Sequence, residues 1–370
     1  VTRSDNRSIA VVGGDGVGPE VTAQGRRILA LVAEKRSLGV KLTDGDYGIE
    51  AYEKRGRMWP EPTRVAMAEA DAVLFGAIGG TSYPLPSELH KTDSLLAVRR
   101  SLGVFVNLRP IRTLPALYEA SSLKPRVLEG VDLIIVRELL GGIYFGEPRG
   151  VETLPGGERR GVNTHVYTSS QIQRIARFAF DISRTRKGRV CSVAKENVME
   201  AGQLWREEVQ AIHDAQYPDV ELTHMLVDNC AMQLVRAPAQ FDVLLTDNLF
   251  GDILSDSAAM ITGSLGMLPS ASLGGVREGG RRGALYEPVH GSAPDIAGRG
   301  LANPIGSILS VAMMLRFSLG MPQEADLVER AVSEALESGA RTIDIAIGSN
   351  HISTVEMGDA VASKLASLLN

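Results

Sequence analysis

The sequence predicts an α/β protein with much parallel sheet, divided into two lobes. Three observations carry that reading. Short apolar runs rich in Val, Ile and Leu alternate with segments of helical periodicity. The 370 residues exceed the size at which a single hydrophobic core keeps growing. No internal repeat, low-complexity tract or long linker interrupts the alternation. In chain order, SIAVVG (8–13) is a strand leading through GGDGVGPEV (13–21) into a helix that carries Val21, Ile28, Leu29 and Leu31. AVLFGAI (72–78) is a second buried strand, and LIIVRE, RVCSVAK, THMLVDN and FDVLLTDN supply four more between residues 133 and 248. Ile172, Ile175, Ala179 and Ile182 form the apolar stripe of a helix over 169–185 that Thr168 or Ser169 can cap. Amphipathic helices over about 324–338 and 357–369 end the chain and are expected on the outside of a sheet.

Composition excludes several function classes. A net charge of -5 with no basic run leaves no electrostatic footprint for nucleic acid or an anionic membrane. The longest apolar stretch, 305–315, falls short of the ~20 residues that span a bilayer. The N-terminal segment has no apolar run of secretory type, so a cytoplasmic protein is expected. Cys191 and Cys230 are far apart, lie in apolar surroundings and lack metal or redox spacing. They are expected to be buried free thiols.

Chemistry concentrates where the strands end. Arg137, Lys195, Asp228, and Asp247 with Asn248 each close one of the middle apolar runs. In open α/β sheets ligands bind at the carboxyl ends of strands, so these side chains are candidates for one pocket. In FGDILSD (250–256), Asp252 and Asp256 stand four apart, which puts both carboxylates on one face of a helix. A solvated pair in a first helical turn is the plain reading of those two alone. With oxygen donors and no nearby Cys or His, the alternative is a hard cation, Mg²⁺ or Mn²⁺. The glycines of GGDGVGPEV miss the G-x-G-x-x-G register and no P-loop occurs, so a Rossmann fold is not predicted. In LYEPVHGSAPDIAG (285–298), small residues at 291–293 let a backbone approach a ligand, and Asp295 can accept from ribose hydroxyls while repelling a 2′-phosphate.

These segments, together with LLAVRRSLGVFVNLRP (95–110), RELLGGIYFGEPR (137–149), VDNCAMQLV (227–235) and ANP (302–304), resemble the β-decarboxylating dehydrogenases of 2-hydroxy acids. That family comprises isocitrate, isopropylmalate, homoisocitrate and tartrate or D-malate dehydrogenases; the segment around Tyr144 is most similar to its isopropylmalate members. The resemblance runs nearly end to end. It implies a two-lobed isocitrate/isopropylmalate dehydrogenase-like fold with a central mixed sheet. It further implies a discontinuous cofactor domain over 1–106 and 265–370, and a dimerisation and catalytic domain over 107–264. The implied reaction is NAD-dependent oxidative decarboxylation of (2R,3S)-3-isopropylmalate to 4-methyl-2-oxopentanoate in leucine biosynthesis. By position, Arg99, Arg109 and Arg137 match the substrate arginines, and Asp228, Asp252 and Asp256 the ligands of Mg²⁺ or Mn²⁺. The resemblance also implies that Asp228 touches substrate. Lys195 matches the general base and Tyr144 the proton donor to the enol left after CO₂ departs. His290, Gly291, Ser292, Ala293, Asp295, Ile296 and Asn303 match the adenosine-binding positions. The implied assembly is a homodimer in which Asp228 and Lys195 come from the partner subunit.

Two departures from the isopropylmalate pattern bear on substrate choice. The loop GGTSYPLPSELHKTDSLL (79–96) lacks the usual Trp-Asp and is one residue shorter; Thr92 stands where a glutamate is usual, and Asp93 beside it could substitute. The usual Asp-Lys-Ala-Asn-Val becomes Ala194 to Val198, so Ala194 removes a carboxylate beside Lys195 and Glu196 adds one. A dehydrogenase for another 3-alkyl or 3-aryl malate is therefore an alternative, and a non-catalytic regulatory relative is a second.

Overall fold

The computed structural model describes residues 6–79, 89, 92–276 and 282–370. The strands and longer helices follow in order: β1 (Asn6–Gly14), α1 (Gly18–Lys35), β2 (Gly39–Asp44), α2 (Ile49–Arg55), α3 (Glu61–Glu69) and β3 (Ala72–Ala77). Next come α4 (Leu95–Leu102), β4 (Val104–Arg112), β5 (Asp132–Glu138), β6 (Gly146–Thr153), β7 (Arg159–Thr164), α5 (Ser169–Arg184) and β8 (Arg189–Ala194). They are followed by α6 (Glu200–Gln216), β9 (Glu221–Leu226), α7 (Val227–Arg236), β10 (Val243–Thr246) and α8 (Asn248–Ala259). The remainder is β11 (Pro269–Val276), β12 (Arg282–Pro288), α9 (Ile305–Met314), α10 (Pro322–Glu337) and α11 (Thr354–Leu369).

The chain divides into two compact units, one of Val1–Val104, Leu114–Lys124 and Ala259–Asn370, the other of Phe105–Thr113 and Pro125–Ala258. Residues 114–124, which the sequence reading places in the 107–264 lobe, pack with the first unit. Leu117 is buried there, Arg341 donates to the Ala116 carbonyl (2.6 Å) and Ser121 to that of Met260 (2.9 Å).

In the first unit, β2, β1, β3 and β12 pair in parallel and β11 runs antiparallel to β12. In the second, β5, β10, β8 and β9 are parallel and β4 is antiparallel to β5. Each unit is thus α/β with a mixed sheet. β3 and β10 are buried throughout, as continuous apolar runs covered on both faces should be. The β6–β7 ribbon stands apart as its own two-stranded sheet, with most of its side chains exposed.

Local signals account for the element boundaries. Thr168 and Gln171 close a reciprocal capping box on α5, which buries Ile172, Ile175 and Ala179 as expected, while Ile182 is half-buried. α11 starts three residues earlier than the apolar pattern suggests, because Ser353 and Glu356 form a second capping box. α9 is buried at every position but Leu309, which explains its largely apolar sequence; among the described residues no helix is long and apolar enough to cross a membrane. Cys191 and Cys230 are buried free thiols.

The turn from β1 into α1 is set by close backbone approach. Asp15 N donates to Ala77 O (2.7 Å), and Pro19 sits in the first turn of α1 as expected. Gly14 has φ 74°, and a Cβ there would lie 2.0 Å from Ala77 O. We therefore expect Gly14→Ala to destabilise the protein by at least ~2 kcal/mol, from both left-handed strain and the displaced β3 backbone. A urea midpoint indistinguishable from the parent's would rule this out.

Candidate active site

In the second unit, strand geometry brings two arginines onto one helix. Asn107 and Arg109 are two apart on β4 and so share a face, and Asn107 is the antiparallel partner of Arg137 on β5. Both guanidiniums are buried, Arg137 at 1% exposure. α8 begins directly after β10 and presents Asp252, Ser255 and Asp256 to them. Arg137 Nη1 donates to Asp252 Oδ1 (2.5 Å), while its Nε and Nη2 donate to Asn248 Oδ1 (3.1 and 2.8 Å). Arg109 donates to Ser255 Oγ (2.5 Å), Asp256 Oδ1 (3.0 Å), Asp252 Oδ1 (3.3 Å) and Asn107 Oδ1 (2.9 Å). Tyr144, from the turn Gly142–Tyr144, donates its hydroxyl to the other oxygen, Asp252 Oδ2 (3.0 Å). Burial and the Asp252 charge raise the Tyr144 pKa, so the phenol stays protonated at neutral pH. Burial also raises the Asp256 carboxyl; Arg109 opposes that and Asp252 adds to it. Two carboxylates in mutual repulsion, with oxygen donors alone, suit a hard divalent cation.

Lys195 and Asp228 form a separate pair, Nζ to Oδ1 at 3.0 Å. Asp228 does not end a strand as the sequence suggests: β9 stops at Leu226 and Asp228 lies in the first turn of α7. Among the described residues no three His, Cys, Asp or Glu side chains gather in a metal-binding group, so Asp228 does not join Asp252 and Asp256 within one chain. A small cavity beside Lys195 is lined also by His165, Tyr167, Ala194, Trp205 and Asp247. His165 Nε2 lies 3.4 Å from Asp247 Oδ2. Burial pushes the Asp247 carboxyl up to about 7, against hydrogen bonds from Phe250 and Leu249 N and the Arg137 charge. Glu196 pairs with Arg206 (2.6 Å) and is not among the residues lining the cavity.

In the first unit, Arg99 on α4 is buried and bonds Glu287 on β12 (3.1 Å). Of the expected cofactor positions, Gly291 and Asp295 are exposed. His290 Nδ1 donates to Gly291 O (2.8 Å), and its Nε2 is a buried atom with no hydrogen-bond partner. Burial lowers the His290 pKa, leaving a neutral ring whose Nε2 can accept, which fits an adenine amino group. Ser292 and Asn303 are buried and occupied internally: Ser292 donates to Gly79 O, and Asn303 bonds Asp344 (3.0 Å) and Ile305 N (3.0 Å). Ala293 and Ile296 pack against Val17, Val21 and Ala302.

Asp93 is not available to replace the usual glutamate. It is fully buried and receives Arg57 (2.5 Å), Arg64 (2.9 Å) and Trp59 N (3.2 Å). Thr92 stays at the variant position, donating its own hydroxyl to Asp93 (2.8 Å). Residues 80–88, 90 and 91 of the altered loop lie outside the described residues.

The family profile described as isocitrate/isopropylmalate dehydrogenase matches residues 8–361. The chain belongs to this family. It is 59% identical to a 3-isopropylmalate dehydrogenase 1 of Bradyrhizobium diazoefficiens over 98% of this chain and 97% of the relative. A second relative so named, from Bordetella bronchiseptica, is 54% identical over 99% of both chains. The structure is similar to the crystal structure of isocitrate dehydrogenase from Methylococcus capsulatus, with TM-score 0.85 and 31% identity over 97% of this chain and 99% of that one. It is also similar to a beta-decarboxylating dehydrogenase from Thermococcus kodakarensis, with TM-score 0.78 and 33% identity over 98% and 97%. The family resemblance did not single out Asn107, Ser255, Glu287 or Asp344, although the first three lie within its segments: Ser255, Glu287 and Asp344 meet Arg109, Arg99 and Asn303 far along the chain, and Asn107 meets Arg109 two residues on. Asn248 was visible as a strand end, and its amide proves to hold the Leu139 and Gly141 carbonyls (both 3.1 Å) as well as Arg137.

The Asp247 carboxyl gives a pH signature. Its unfolded value is near 3.8, so folding takes up a proton between there and about 7, and this group's contribution to stability falls as pH rises through that window. Asp247→Asn removes the dependence. Its stability relative to the parent should therefore improve by on the order of 2 kcal/mol between about pH 5 and about pH 8. Melts at the two pH values that show a constant difference would contradict the assignment.

Proposed function

We propose that the protein oxidatively decarboxylates (2R,3S)-3-isopropylmalate to 4-methyl-2-oxopentanoate and CO₂ in leucine biosynthesis, using NAD and Mg²⁺ or Mn²⁺. The observation that carries this is the convergence of two buried arginines and a protonated tyrosine on Asp252, beside Asp256, in a chain 59% identical to a relative bearing that name.

When bound, NAD would supply the hydride acceptor and the cation Lewis-acid polarisation. Asp252 and Asp256, with Asp228, would hold the cation; His290, Gly291 and Asp295 would hold the adenosine. Arg109 and Arg137 offer planar forks to the malate carboxylates, and Arg99 supplies the third guanidinium. Lys195 takes the hydroxyl proton. Tyr144, held protonated, returns a proton to the carbon that carried the lost carboxylate. The separation of Lys195–Asp228 from Asp252–Asp256 supports a homodimer in which each site draws on both chains. Met232 and Val235 on α7 and Ile253 on α8, all more than half exposed, support the same reading.

A second reading, a malate with a different 3-alkyl or 3-aryl group, is favoured by one observation. With Asp93 held by Arg57 and Arg64, the neutral Thr92 is not backed by a neighbouring carboxylate free to act.

The test is NAD reduction with Mg²⁺ or Mn²⁺ against malates bearing hydrogen, methyl, isopropyl, benzyl and carboxymethyl at C3. We expect the isopropyl compound to have the highest kcat/KM, with Tyr144→Phe slower by about 10²- to 10⁴-fold. A different winner by more than the ~10- to 200-fold that one methylene discriminates would transfer the assignment to that substrate. No reduction with any of them would leave the regulatory reading. Shared sites make a further prediction. Inactive Lys195→Ala and Asp252→Asn chains, unfolded and refolded together, should regain about a quarter of parental activity, since half the dimers are mixed and each has one intact site. Activity that stays at the level of the separate variants would mean sites built within one chain.

A further inference from the structure

The glycine-rich turn and the first turn of α1 have no part in the chemistry above, yet they grip the loop assigned to the cofactor at both ends. At its start, Val17 N donates to Ser292 O (2.8 Å). Ser292 Oγ donates to Gly79 O, and Gly79 N to Asp15 Oδ2 (3.3 Å). At its far end, Glu20 accepts two alternate amides, Gly298 N on Oε1 (2.5 Å) and Gly300 N on Oε2 (3.2 Å). These glycines have φ 74° and 64° with open space where a Cβ would stand, so backbone conformation rather than crowding requires glycine. Ala293 is one of two non-glycine residues with positive φ among those described, at 38°, and it packs on Val17, Val21 and Ala302. Strain of this kind persists where its surroundings hold it. Exposed Asp295 sits between these anchors.

We propose that Glu20 is a positioning residue for the cofactor. By accepting the Gly298 and Gly300 amides it holds the 293–300 turn so that Asp295 meets the adenosine ribose in a fixed place. The inference rests on the NAD reading of the loop. A carboxylate accepts both amides with charge assistance, whereas the glutamine amide has one oxygen and directs an NH₂ at the other donor.

The experiment compares the parent with Glu20→Gln and Glu20→Ala as full-length protein. Direct titration with NAD and with NADP is combined with steady-state kinetics and hydrogen exchange over 294–300. Glu20→Ala should weaken NAD binding about tenfold, with Glu20→Gln intermediate and NADP weakened less, so that discrimination between the two falls. kcat at saturating NAD and the KM for 3-isopropylmalate should stay within about threefold, while exchange rises across 294–300 ahead of the rest of the chain. If Glu20→Ala does not fold, Glu20→Gln carries the test. A parent that binds NAD beside variants with unchanged NAD affinity overturns the proposal. So does a parallel loss of kcat, malate binding and protection everywhere, which would mark a general defect of folding. A parent that binds NADP in preference to NAD defeats the cofactor reading itself, and the inference with it.

Discussion

Two guanidiniums buried in the second unit, Arg109 and Arg137, must be neutralised where water cannot do it, and Asp252 is the carboxylate that meets both. Removing charges from water costs several kcal/mol each unless they are paired and their hydrogen bonds satisfied. Asn248 and Asn107 complete that satisfaction by taking the guanidinium faces that Asp252 does not. The same asparagine fixes the Leu139 and Gly141 carbonyls, which places the glycine turn from which Tyr144 reaches back to Asp252. Charge neutralisation and placement of the Tyr144 hydroxyl are therefore one constraint.

The charges of the second unit fall into two separate sets. Asp252 and Asp256 bring their own arginines, whereas Lys195 has Asp228 as its counter-charge on a different helix. Each pair is electrostatically self-consistent within the chain. Glu196, which could have disturbed Lys195, is drawn off by Arg206, and Ala194 leaves space in the cavity wall rather than an unpaired charge. The changes around Lys195 thus leave its ion pair with Asp228 in place.

In the first unit the glycine-rich turn works as a mechanical part. Its close contacts with Ala77 and Ser292 tolerate no Cβ, and they carry the loop that holds Asp295 and His290. A dinucleotide fingerprint would place a phosphate on this turn, and the mismatch in glycine register was the sign that it serves otherwise.

The α/β class, the Asp252–Asp256 helix face and the α5 stripe were legible in the sequence because they depend on periodicities of two and 3.6 residues and on local caps. The family segments contain Arg109, Arg137 and Tyr144, which meet Asp252, and Lys195 and Asp228, which pair with each other. What the sequence could not decide was who meets whom. Asp93 looked like a substitute for a missing carboxylate, and the fold consumes it with Arg57 and Arg64. Asn303 and Ser292 match cofactor positions, and the fold adds internal hydrogen bonds to Asp344, Ile305 and Gly79 that spacing does not show. Residues 114–124 looked contiguous with the second lobe, and Arg341 and Met260 draw them into the first unit. Spacing along the chain determines which face a side chain takes. Only the tertiary structure determines which buried charge needs it, because that depends on partners many residues away.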